Sequence, residues 1–369
     1  MQKFLKKYEI AVIFGGESNE NEVSVITGTM ACNVLKKGGK TVLPVYIDHS
    51  GTMYADEKLA DISLYKTDGF AKFSRCGFSS GGVIILNARG ALKRFIAVGC
   101  VLNCCHGGVG EGGGAAGACA LFNLPFASAG LFESAAFMDK YYTKLVLKGL
   151  GATVAKYAYS RDIAGAIKGA AEVGYPVIVK PATLGSSIGI AKCENEKELK
   201  EALETAFALD CGALVEQYLS PRREINCAAY LRDGRVVCSP CEEAFGAGDL
   251  LSYDDKYCGG GGRVFPARLD EEVAEGIRAE TERVYSALGM RGVVRFDFIL
   301  SGGNAYISEI NTVPGSLSQY LLSDGYGGFY RVLCDLIAQA KTDFAVRKSK
   351  RIIRTGILND IKPNANIKK

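Results

Sequence analysis

Acidic, basic and amide side chains occupy two strand-like runs within residues 295–315. Arg295 and Asp297 lie two residues apart on the first run, and Glu309 and Asn311 lie two apart on the second. Residues two apart on a strand point to the same face of a sheet. If the two strands are adjacent and antiparallel, three oxygen ligands and a guanidinium converge, and Mg²⁺ prefers such donors. A charged strand face that contacts solvent explains this segment equally well when it is considered alone.

A lysine at the end of an apolar run is followed by a turn of small residues. Lys180 ends the run that starts at Tyr175, and residues 184–189 contain two glycines and two serines. The backbone N–H groups and hydroxyls of such a turn can hold phosphate oxygens, while the ammonium supplies positive charge. The spacing differs from the Walker A motif. Without the lysine, an ordinary turn would be the better interpretation.

A third run, residues 214–219, contains Glu216 and is followed by Glu224. The edge of a strand offers backbone N–H and C=O groups to an adenine ring, and a carboxylate can bind ribose hydroxyls. These residues could therefore receive adenosine. Taken alone, the run is better interpreted as an ordinary strand of a sheet.

The segment 108–113 matches the pattern G-x-G-x-x-G, and Glu133 follows about 20 residues later. This pattern makes an NAD-dependent dehydrogenase an alternative hypothesis. The segment is not the first strand-to-helix turn of the chain, however, and Glu111 would lie where the pyrophosphate binds. Both features disfavour a dinucleotide site.

Composition indicates a globular protein whose body has no nucleic-acid surface; the basic tail is better interpreted as a solvated terminus than as a site for a polyanion or a membrane surface. Apolar residues make up 48% of the 369 residues and charged residues 23%, as in average soluble domains. The formal net charge of +4 comes from the C-terminal segment 346–369, which has eight Lys or Arg and one acidic residue. The thirteen cysteines are scattered through apolar runs, so we expect reduced thiols and a cytoplasmic location. We found no run long enough for a signal sequence or membrane span.

Alternating strand and helix signals up to about residue 130 predict a small parallel sheet. Its first strand is expected at residues 10–14, and Asn19 is expected to cap the helix that follows. Residues 246–262 are polar and rich in glycine, and we expect them to form a loop. The other predicted elements are strands at 41–47, 95–104, 154–159, 176–179, 213–218, 224–231, 235–241, 292–300 and 305–310, helices at 134–150, 163–173, 195–209 and 271–288, and two short helices before residue 345.

Six motifs in order resemble the D-alanine–D-alanine ligase family of ATP-grasp enzymes from about residue 10 to about residue 340. Each motif alone is weak, but the ordered set is specific. The motifs are Gly15-Gly16-x-Ser18-x-Glu20-x-Glu22-Val23-Ser24, His106-Gly107 through Glu111, Met138-Asp139-Lys140 with Lys144, Val179-Lys180-Pro181 with Gly185–Gly189, Lys256-Tyr257, and Glu309-Ile310-Asn311-Thr312-x-Pro314-Gly315.

The resemblance implies an α/β and α+β protein with a three-domain ATP-grasp fold. An N-terminal parallel-sheet (pre-ATP-grasp) domain would span residues 1–130. The central subdomain would span 131–214, the C-terminal subdomain with the metal site 215–345, and a basic tail 346–369. The family's reaction joins two D-alanines through an acyl phosphate at the expense of ATP, for peptidoglycan precursor synthesis. A homodimer is also implied.

The resemblance also implies a role for each matching residue. Two Mg²⁺ ions, or Mn²⁺ in their place, would be held by Asp297, Glu309 and Asn311. ATP would be bound by Lys140, Lys180, Ser187, Glu216, Tyr218, Leu219, Glu224 and Lys256. The substrates would be bound by Val23, Ser24, His106, Gly315, Tyr320 and Leu321. Glu20, Ser186, Tyr257 and Arg295 would be catalytic, with Ser24, Ser186 and Tyr257 forming a hydrogen-bonded set that fixes the loop over the site.

The chain departs from the family pattern in three places. Gly112-Gly113 follows Glu111 where the family has Asp-Gly, and the segment 114–117 lacks the usual Gln. Tyr320 stands where the family has a serine that binds the carboxylate of the second substrate, and the basic tail is additional. Tyr320 keeps open a different second substrate, such as D-serine or another amine. A nucleotide-binding homologue without catalysis is a further alternative, which the intact charged residues disfavour.

Overall fold

The computed structural model describes residues 6–246, 248, 255, 261–353 and 355–360. Lys256 and Tyr257 therefore lie outside the described residues, as does most of the predicted loop. No helix in these described ranges is long and apolar enough to cross a bilayer.

A mainly parallel sheet forms the first layer of the N-terminal region, as predicted. Its central strand, Ile10–Gly15, is buried along its whole length and pairs in parallel with a strand on each side. A continuous apolar run is the expected sequence of such a strand. In spatial order the strands are Met53–Ala55, which is antiparallel to its neighbour, Val42–Ile47, Ile10–Gly15, Val101–Asn103 and Phe126–Ala127.

The single strand predicted at residues 95–104 is wrong, because the chain changes sheets at Gly99. Residues Leu92–Val98 belong to a second sheet, whereas Val101–Asn103 belongs to the first. The N–H of Gly99 donates to the carbonyl of Tyr8 over 3.0 Å, and a Cβ on Gly99 would lie 2.7 Å from the carbonyl oxygen of Glu9. This close approach admits only glycine. The second sheet has the order Lys6–Tyr8, Leu92–Val98, Gly82–Leu86 and Cys76–Ser79.

The first helix spans Asn21–Lys37, so the cap predicted at Asn19 is wrong. Glu20 holds the N-cap position and makes no capping bond with its side chain. Asn21 Nδ2 instead donates to the carbonyl of Gly16 over 2.7 Å. This bond fixes the start of the helix to the end of the first strand.

The central region is an antiparallel sheet covered by two helices. The helix Glu196–Leu209 begins after Asn195, whose side chain accepts from the N–H of Glu198 over 3.1 Å, and this confirms the predicted cap. The predicted helix 134–150 is broken at Asp139, which is extended and caps the second half. The strands in spatial order are Tyr157–Ser160, Ala213–Gln217, Val177–Pro181 and Ala191–Cys193, and the other helices are Leu131–Met138, Lys140–Gly149 and Ile163–Val173.

A six-stranded antiparallel sheet forms the C-terminal region and carries most of the charged residues described below. The strand predicted at 235–241 ends at Cys238, and a separate strand, Glu242–Phe245, follows it. Both pair with the long strand Arg223–Arg232. The strands in spatial order are Gly262–Val264, Glu242–Phe245, Arg223–Arg232, Val294–Ser301 and Asn304–Asn311, with Arg235–Cys238 also on Arg223–Arg232. The helix Glu271–Ala287 packs on one face through Ile277, Val284 and Tyr285.

The C-terminal helix returns to the N-terminal region. Instead of two short helices before residue 345, the chain has a short helix, Gln319–Leu322, and a 24-residue helix, Tyr326–Ser349. The Tyr330 hydroxyl donates to the carbonyl of Gly38 over 2.9 Å. Near the other end of this helix, Lys348 Nζ donates to Asn123 Oδ1 over 2.7 Å. The helix therefore extends into the segment predicted as a tail, where it contacts the N-terminal region. The remaining helical turns are Glu57–Ala60, Ile62–Lys66, Gly69–Lys72, Gly110–Gly114, Ala115–Leu121, Gly315–Ser318 and Ile357–Asp360.

Candidate active site

One cleft of about 440 Å³ is lined by residues from all three regions of the chain. Most of the residues that the sequence singles out face it. Those that line it are Glu20, Val23, His106, Lys140, Ser186, Glu224, Arg295, Asp297, Glu309, Asn311, Gly315 and Tyr320.

Several predicted residues lie elsewhere. Lys180, Glu216 and Leu219 line a small adjoining cavity, together with Lys144. Four others line neither cavity. These are Ser24, Ser187, Tyr218 and Leu321.

The two charged strands are adjacent and antiparallel, which is the condition under which their side chains converge. Arg295 is paired with Asn311 and Asp297 with Glu309 in the ladder between Val294–Ser301 and Asn304–Asn311. Arg295 binds Asp297 through two hydrogen bonds, of 2.7 Å from Nε and 2.9 Å from Nη2. Burial opposes the charge of Arg295, but the Asp297 carboxylate outweighs it and holds the pKa of Arg295 well above its ordinary value. This guanidinium is therefore a fixed positive charge in the cleft.

The same side chains fit a hard divalent cation. Asn311 Nδ2 donates to Asp297 Oδ2 over 2.9 Å, and Asp297 is opposite Glu309 in the ladder, so the amide and both carboxylates of the set are neighbours. Within the described ranges no three His, Cys, Asp or Glu side chains form a metal site by themselves. A cation here would thus depend on Asn311 and on substrate oxygens as well as on Asp297 and Glu309, which is typical of Mg²⁺.

A buried cluster of two lysines and one glutamate adjoins the cleft. Glu216 accepts from Lys144 over 2.7 Å and from Lys180 over 2.5 Å. Burial raises the pKa of Glu216, but the two ammonium groups outweigh it and bring the pKa to about 2. The carboxylate is therefore ionised and its two oxygens are bound to lysines, whereas its predicted contact with adenosine stays a prediction.

Lys144 matches a motif of the family, but the resemblance assigned it no role in the site. Its side chain is 1% exposed, and Nζ also donates to the carbonyls of Ile307 and Ser308 over 3.1 Å each. It joins the central region to the C-terminal sheet. The four-residue spacing from Lys140 was the available signal, since residues four apart share a helix face.

Lys140 lies at the start of its helix and reaches the cleft. Its Nζ donates to the carbonyl of Leu184 over 2.5 Å and lies 3.7 Å from Glu309 Oε1. The carbonyl belongs to the glycine-serine turn, in which Ser186 and Ser187 adopt left-handed backbone conformations. The lysine and the turn are thus adjacent, as a phosphate site requires.

Glu20 and Ser186 meet across the cleft, because the Ser186 hydroxyl donates to Glu20 Oε1. The hydroxyl of Ser24 is oriented differently. It donates to the carbonyl of Cys104 over 2.7 Å and accepts from the N–H of Gly15 over 2.6 Å. The predicted set of Ser24 with Ser186 and Tyr257 is therefore corrected for Ser24, which holds two strand ends together, and Tyr257 lies outside the described residues.

His106 is buried beneath the loop that follows Pro314. Its Nε2 lies 2.8 Å from the Thr27 hydroxyl, which in turn accepts from the N–H of Ser316 over 3.0 Å. Burial lowers the pKa of His106 to about 4. The ring is therefore neutral at physiological pH and positions a loop rather than supplying charge.

Glu111 is a site residue whose role the sequence did not reveal. Its Oε2 accepts from the N–H of Gly107 over 2.8 Å, and its Oε1 accepts from the N–H of Val313 over 3.0 Å. Burial, opposed by these hydrogen bonds, raises the pKa of Glu111 to about 7. Its place in the motif that begins at His106 was the only sequence signal.

Tyr320 faces a second carboxylate that the sequence analysis missed. Its hydroxyl donates to Glu242 Oε2 over 3.4 Å, and Asn226 Nδ2 donates to the same oxygen over 3.1 Å. In the sheet Glu242 is opposite Asn226, which is opposite Asp297. Arg263, from the edge strand, covers this end of the cleft. A row of polar residues therefore extends from the candidate metal ligands to Tyr320.

Two family models match this chain, the D-ala D-ala ligase N-terminus over residues 9–129 and the D-ala D-ala ligase C-terminus over residues 152–329. The D-alanine–D-alanine ligase of Thermosipho africanus is 33% identical, covering 92% of this chain and 95% of the relative. That of a Thermoanaerobacter species is also 33% identical, covering 90% and 95%.

Solved structures agree with the sequence relatives. The D-alanine–D-alanine ligase of Helicobacter pylori superposes with a TM-score of 0.73 at 26% identity, covering 90% of this chain and 98% of that one. The VanG D-Ala:D-Ser ligase of Enterococcus faecalis superposes with a TM-score of 0.76 at 27% identity, covering 91% and 99%. The predicted ATP-grasp fold is confirmed. This chain belongs to the D-alanine–D-alanine ligase family.

Proposed function

We propose that this protein joins D-alanine to a second D-alanine, with ATP and Mg²⁺, and releases ADP and phosphate. Membership of the family supports ligase activity and the use of ATP. The observation that carries the proposal for this chain is the convergence of Arg295, Asp297, Glu309 and Asn311 on the cleft that Glu20 and Lys140 also line.

The chemistry requires activation of a carboxylate. In the first step an oxygen of the first D-alanine attacks the γ-phosphorus of ATP, and the bond to the bridging oxygen breaks with loss of ADP. In the second step the amine of the second D-alanine attacks the carbonyl carbon, loses a proton, and displaces phosphate. Negative charge develops in both steps, so fixed cations and oriented N–H donors accelerate the reaction.

The described side chains are suited to these steps. Lys140 and Lys180 would bind ATP phosphates, and Glu20 would bind the ammonium of the first D-alanine. Arg295 and the N–H of Gly315 would stabilise the oxyanion, for which Arg295 is already fixed by Asp297. Mg²⁺ held by Asp297, Glu309 and Asn311 would neutralise phosphate charge.

The direct test is an assay of purified protein with ATP, Mg²⁺ and D-alanine, read by phosphate release and product mass. The proposal predicts phosphate release that requires D-alanine, and a product with the mass of the dipeptide. ATP binding without substrate-stimulated turnover would instead favour the non-catalytic homologue.

A different second substrate is the other candidate, and Tyr320 favours it. This residue replaces the serine that the family pattern would place against the carboxylate of the second substrate, and a buried carboxylate, Glu242, lies behind it. The structural relative named as a D-Ala:D-Ser ligase makes D-serine the first compound to test. Competition between D-alanine and D-serine as second substrates separates the two candidates.

The family resemblance also supports a cytoplasmic homodimer, which stays a proposal. Sedimentation of the purified protein tests it. A monomer at micromolar concentration would contradict it.

A further inference from the structure

We propose that Arg263 binds the carboxylate of the second amino acid, in place of the serine that Tyr320 replaces. This inference rests on the proposed function, because it concerns the end of the same cleft beside Tyr320, where the second amino acid would bind. It assigns that end to an α-amino acid with a free carboxylate rather than to a simple amine.

The position of Arg263 suits this role. Its guanidinium lies 4.9 Å from the centre of the Tyr320 ring, and Nη1 lies 3.7 Å from Glu242 Oε1. The Arg263 side chain is 60% exposed, and in the described part of the chain it donates no hydrogen bond. A planar guanidinium that rests on an aromatic ring keeps its outer N–H groups available for two parallel bonds to a carboxylate.

The other described cations that line the cleft are engaged elsewhere. Arg295 directs two hydrogen bonds at Asp297. Lys140 donates to the carbonyl of Leu184 and approaches Glu309, at the end where phosphate would bind. Arg263 is thus the described cation positioned to meet a carboxylate beside Tyr320.

Glu242 explains why a cation is needed at this point. Glu242 is 2% exposed, and its Oε1 has no hydrogen-bond partner among the described residues. A substrate carboxylate close to this oxygen would be repelled, because like charges repel strongly where water is excluded. Arg263 between the two carboxylates removes the repulsion, and Glu242 with Tyr320 holds the guanidinium in place.

The experiment compares D-alanine with D-alaninamide as second substrates in one reaction. D-alaninamide has no carboxylate to phosphorylate, so D-alanine serves as the first substrate in both products. At equal concentrations of the two acceptors, the ratio of dipeptide to dipeptide amide, read by mass, gives their relative kcat/KM. We expect Arg263→Gln to lower this ratio at least about tenfold, as loss of a charge-assisted hydrogen bond does.

The readout separates binding of the carboxylate from a structural role. A structural defect would reduce both products together and leave the ratio unchanged, and that result would overturn the proposal. Arg263→Lys keeps the charge but loses the planar fork. Its ratio of dipeptide to dipeptide amide should therefore lie between those of the parent and Arg263→Gln. Equal ratios in these two variants would also overturn it.

Controls distinguish this proposal from the proposed function. Arg235→Gln removes an equivalent charge from an exposed position outside the cleft and should leave the ratio unchanged. If the unmodified protein forms no dipeptide, the proposed function is wrong. If it forms dipeptide but Arg263→Gln keeps the parent ratio, only the role of Arg263 is wrong.

Discussion

The carboxylate of Glu111 accepts a hydrogen bond of 3.0 Å from the backbone N–H of Val313, a residue 202 positions later in the chain. Val313 lies two residues before Gly315, the proposed oxyanion donor. Through its other oxygen Glu111 also accepts from the N–H of Gly107. One carboxylate thus joins the loop after the N-terminal sheet to the loop that carries Gly315.

Glu111→Gln should reduce kcat because glutamine can accept only one of these two N–H bonds. Its amide nitrogen would face a backbone N–H, leaving a buried donor without a partner, which costs about 1–3 kcal/mol. A barrier raised by this amount lowers kcat about 5- to 150-fold, measured by phosphate release. Glu204→Gln, on an exposed face of another helix, should leave kcat unchanged, and parent activity in Glu111→Gln would contradict the positioning role.

The raised pKa of Glu111, about 7, predicts a pH dependence. The ionised form accepts both N–H bonds, so kcat should rise as the pH increases through about 7. His106 does not contribute to this inflection, since its pKa is lowered to about 4. A profile of kcat against pH should show the inflection in the parent protein and lack it in Glu111→Gln; the same inflection in both would exclude Glu111 as its source.

The same shift has the opposite effect on stability. Between the ordinary pKa of a glutamate and about 7, the unfolded chain loses the proton of Glu111 while the folded protein retains it. The contribution of Glu111 to the free energy of unfolding is therefore complete at low pH and is lost as the pH rises through about 7. Urea unfolding at about pH 5.5, within this window, and at about pH 8, above it, should show a larger loss of stability with rising pH in the parent than in Glu111→Gln.

Glu309→Gln should abolish turnover and leave the fold intact. The residue is half-buried near the end of an edge strand. Replacing its carboxylate by a neutral amide removes a negative charge and therefore weakens a site for a hard cation. Phosphate release against Mg²⁺ concentration tests this, with the circular dichroism spectrum as the control for folding. Near-parent activity in this variant would mean that the metal ligands are assigned incorrectly.

Glu216→Gln should destabilise the protein strongly, because Lys144 and Lys180 would lose their shared buried partner. Removing one member of a buried ion pair costs about 3–5 kcal/mol, which urea unfolding measures. Glu196→Gln breaks an exposed pair with Lys200 and should cost at most about 1 kcal/mol. Similar losses in the two variants would show that the buried cluster contributes little.

The charged core of the site was predictable because it depends on local rules. The spacing of Arg295 and Asp297, and of Glu309 and Asn311, puts each pair on one face of a strand, and the short connection makes the two strands antiparallel neighbours. Each residue could thus be placed without knowledge of the rest of the chain. Other local signals also sufficed: an apolar run predicted the buried strand at residues 10–14, observed at Ile10–Gly15, and a capping residue predicted the helix that begins after Asn195.

The end of the site beside Tyr320 depends on how strands distant in sequence pair with each other, and a local sequence pattern does not reveal this pairing. Glu242 reaches the cleft because it is opposite Asn226 in the sheet, and Arg263 comes from an edge strand beyond it. The change of sheets at Gly99 could not be recognised, because residues 95–104 form one largely apolar run. The helix Tyr326–Ser349 contacts the N-terminal region near both ends, through Tyr330 with Gly38 and Lys348 with Asn123, and such long-range contacts are not visible in a local pattern.

Ligation of D-alanine is measured by phosphate release together with the mass of the product. With ATP, Mg²⁺ and D-alanine, we expect one phosphate for each D-alanyl-D-alanine formed, and no phosphate above background when D-alanine is omitted. Phosphate release that does not depend on D-alanine, or D-alanine-dependent release without a dipeptide, would contradict it.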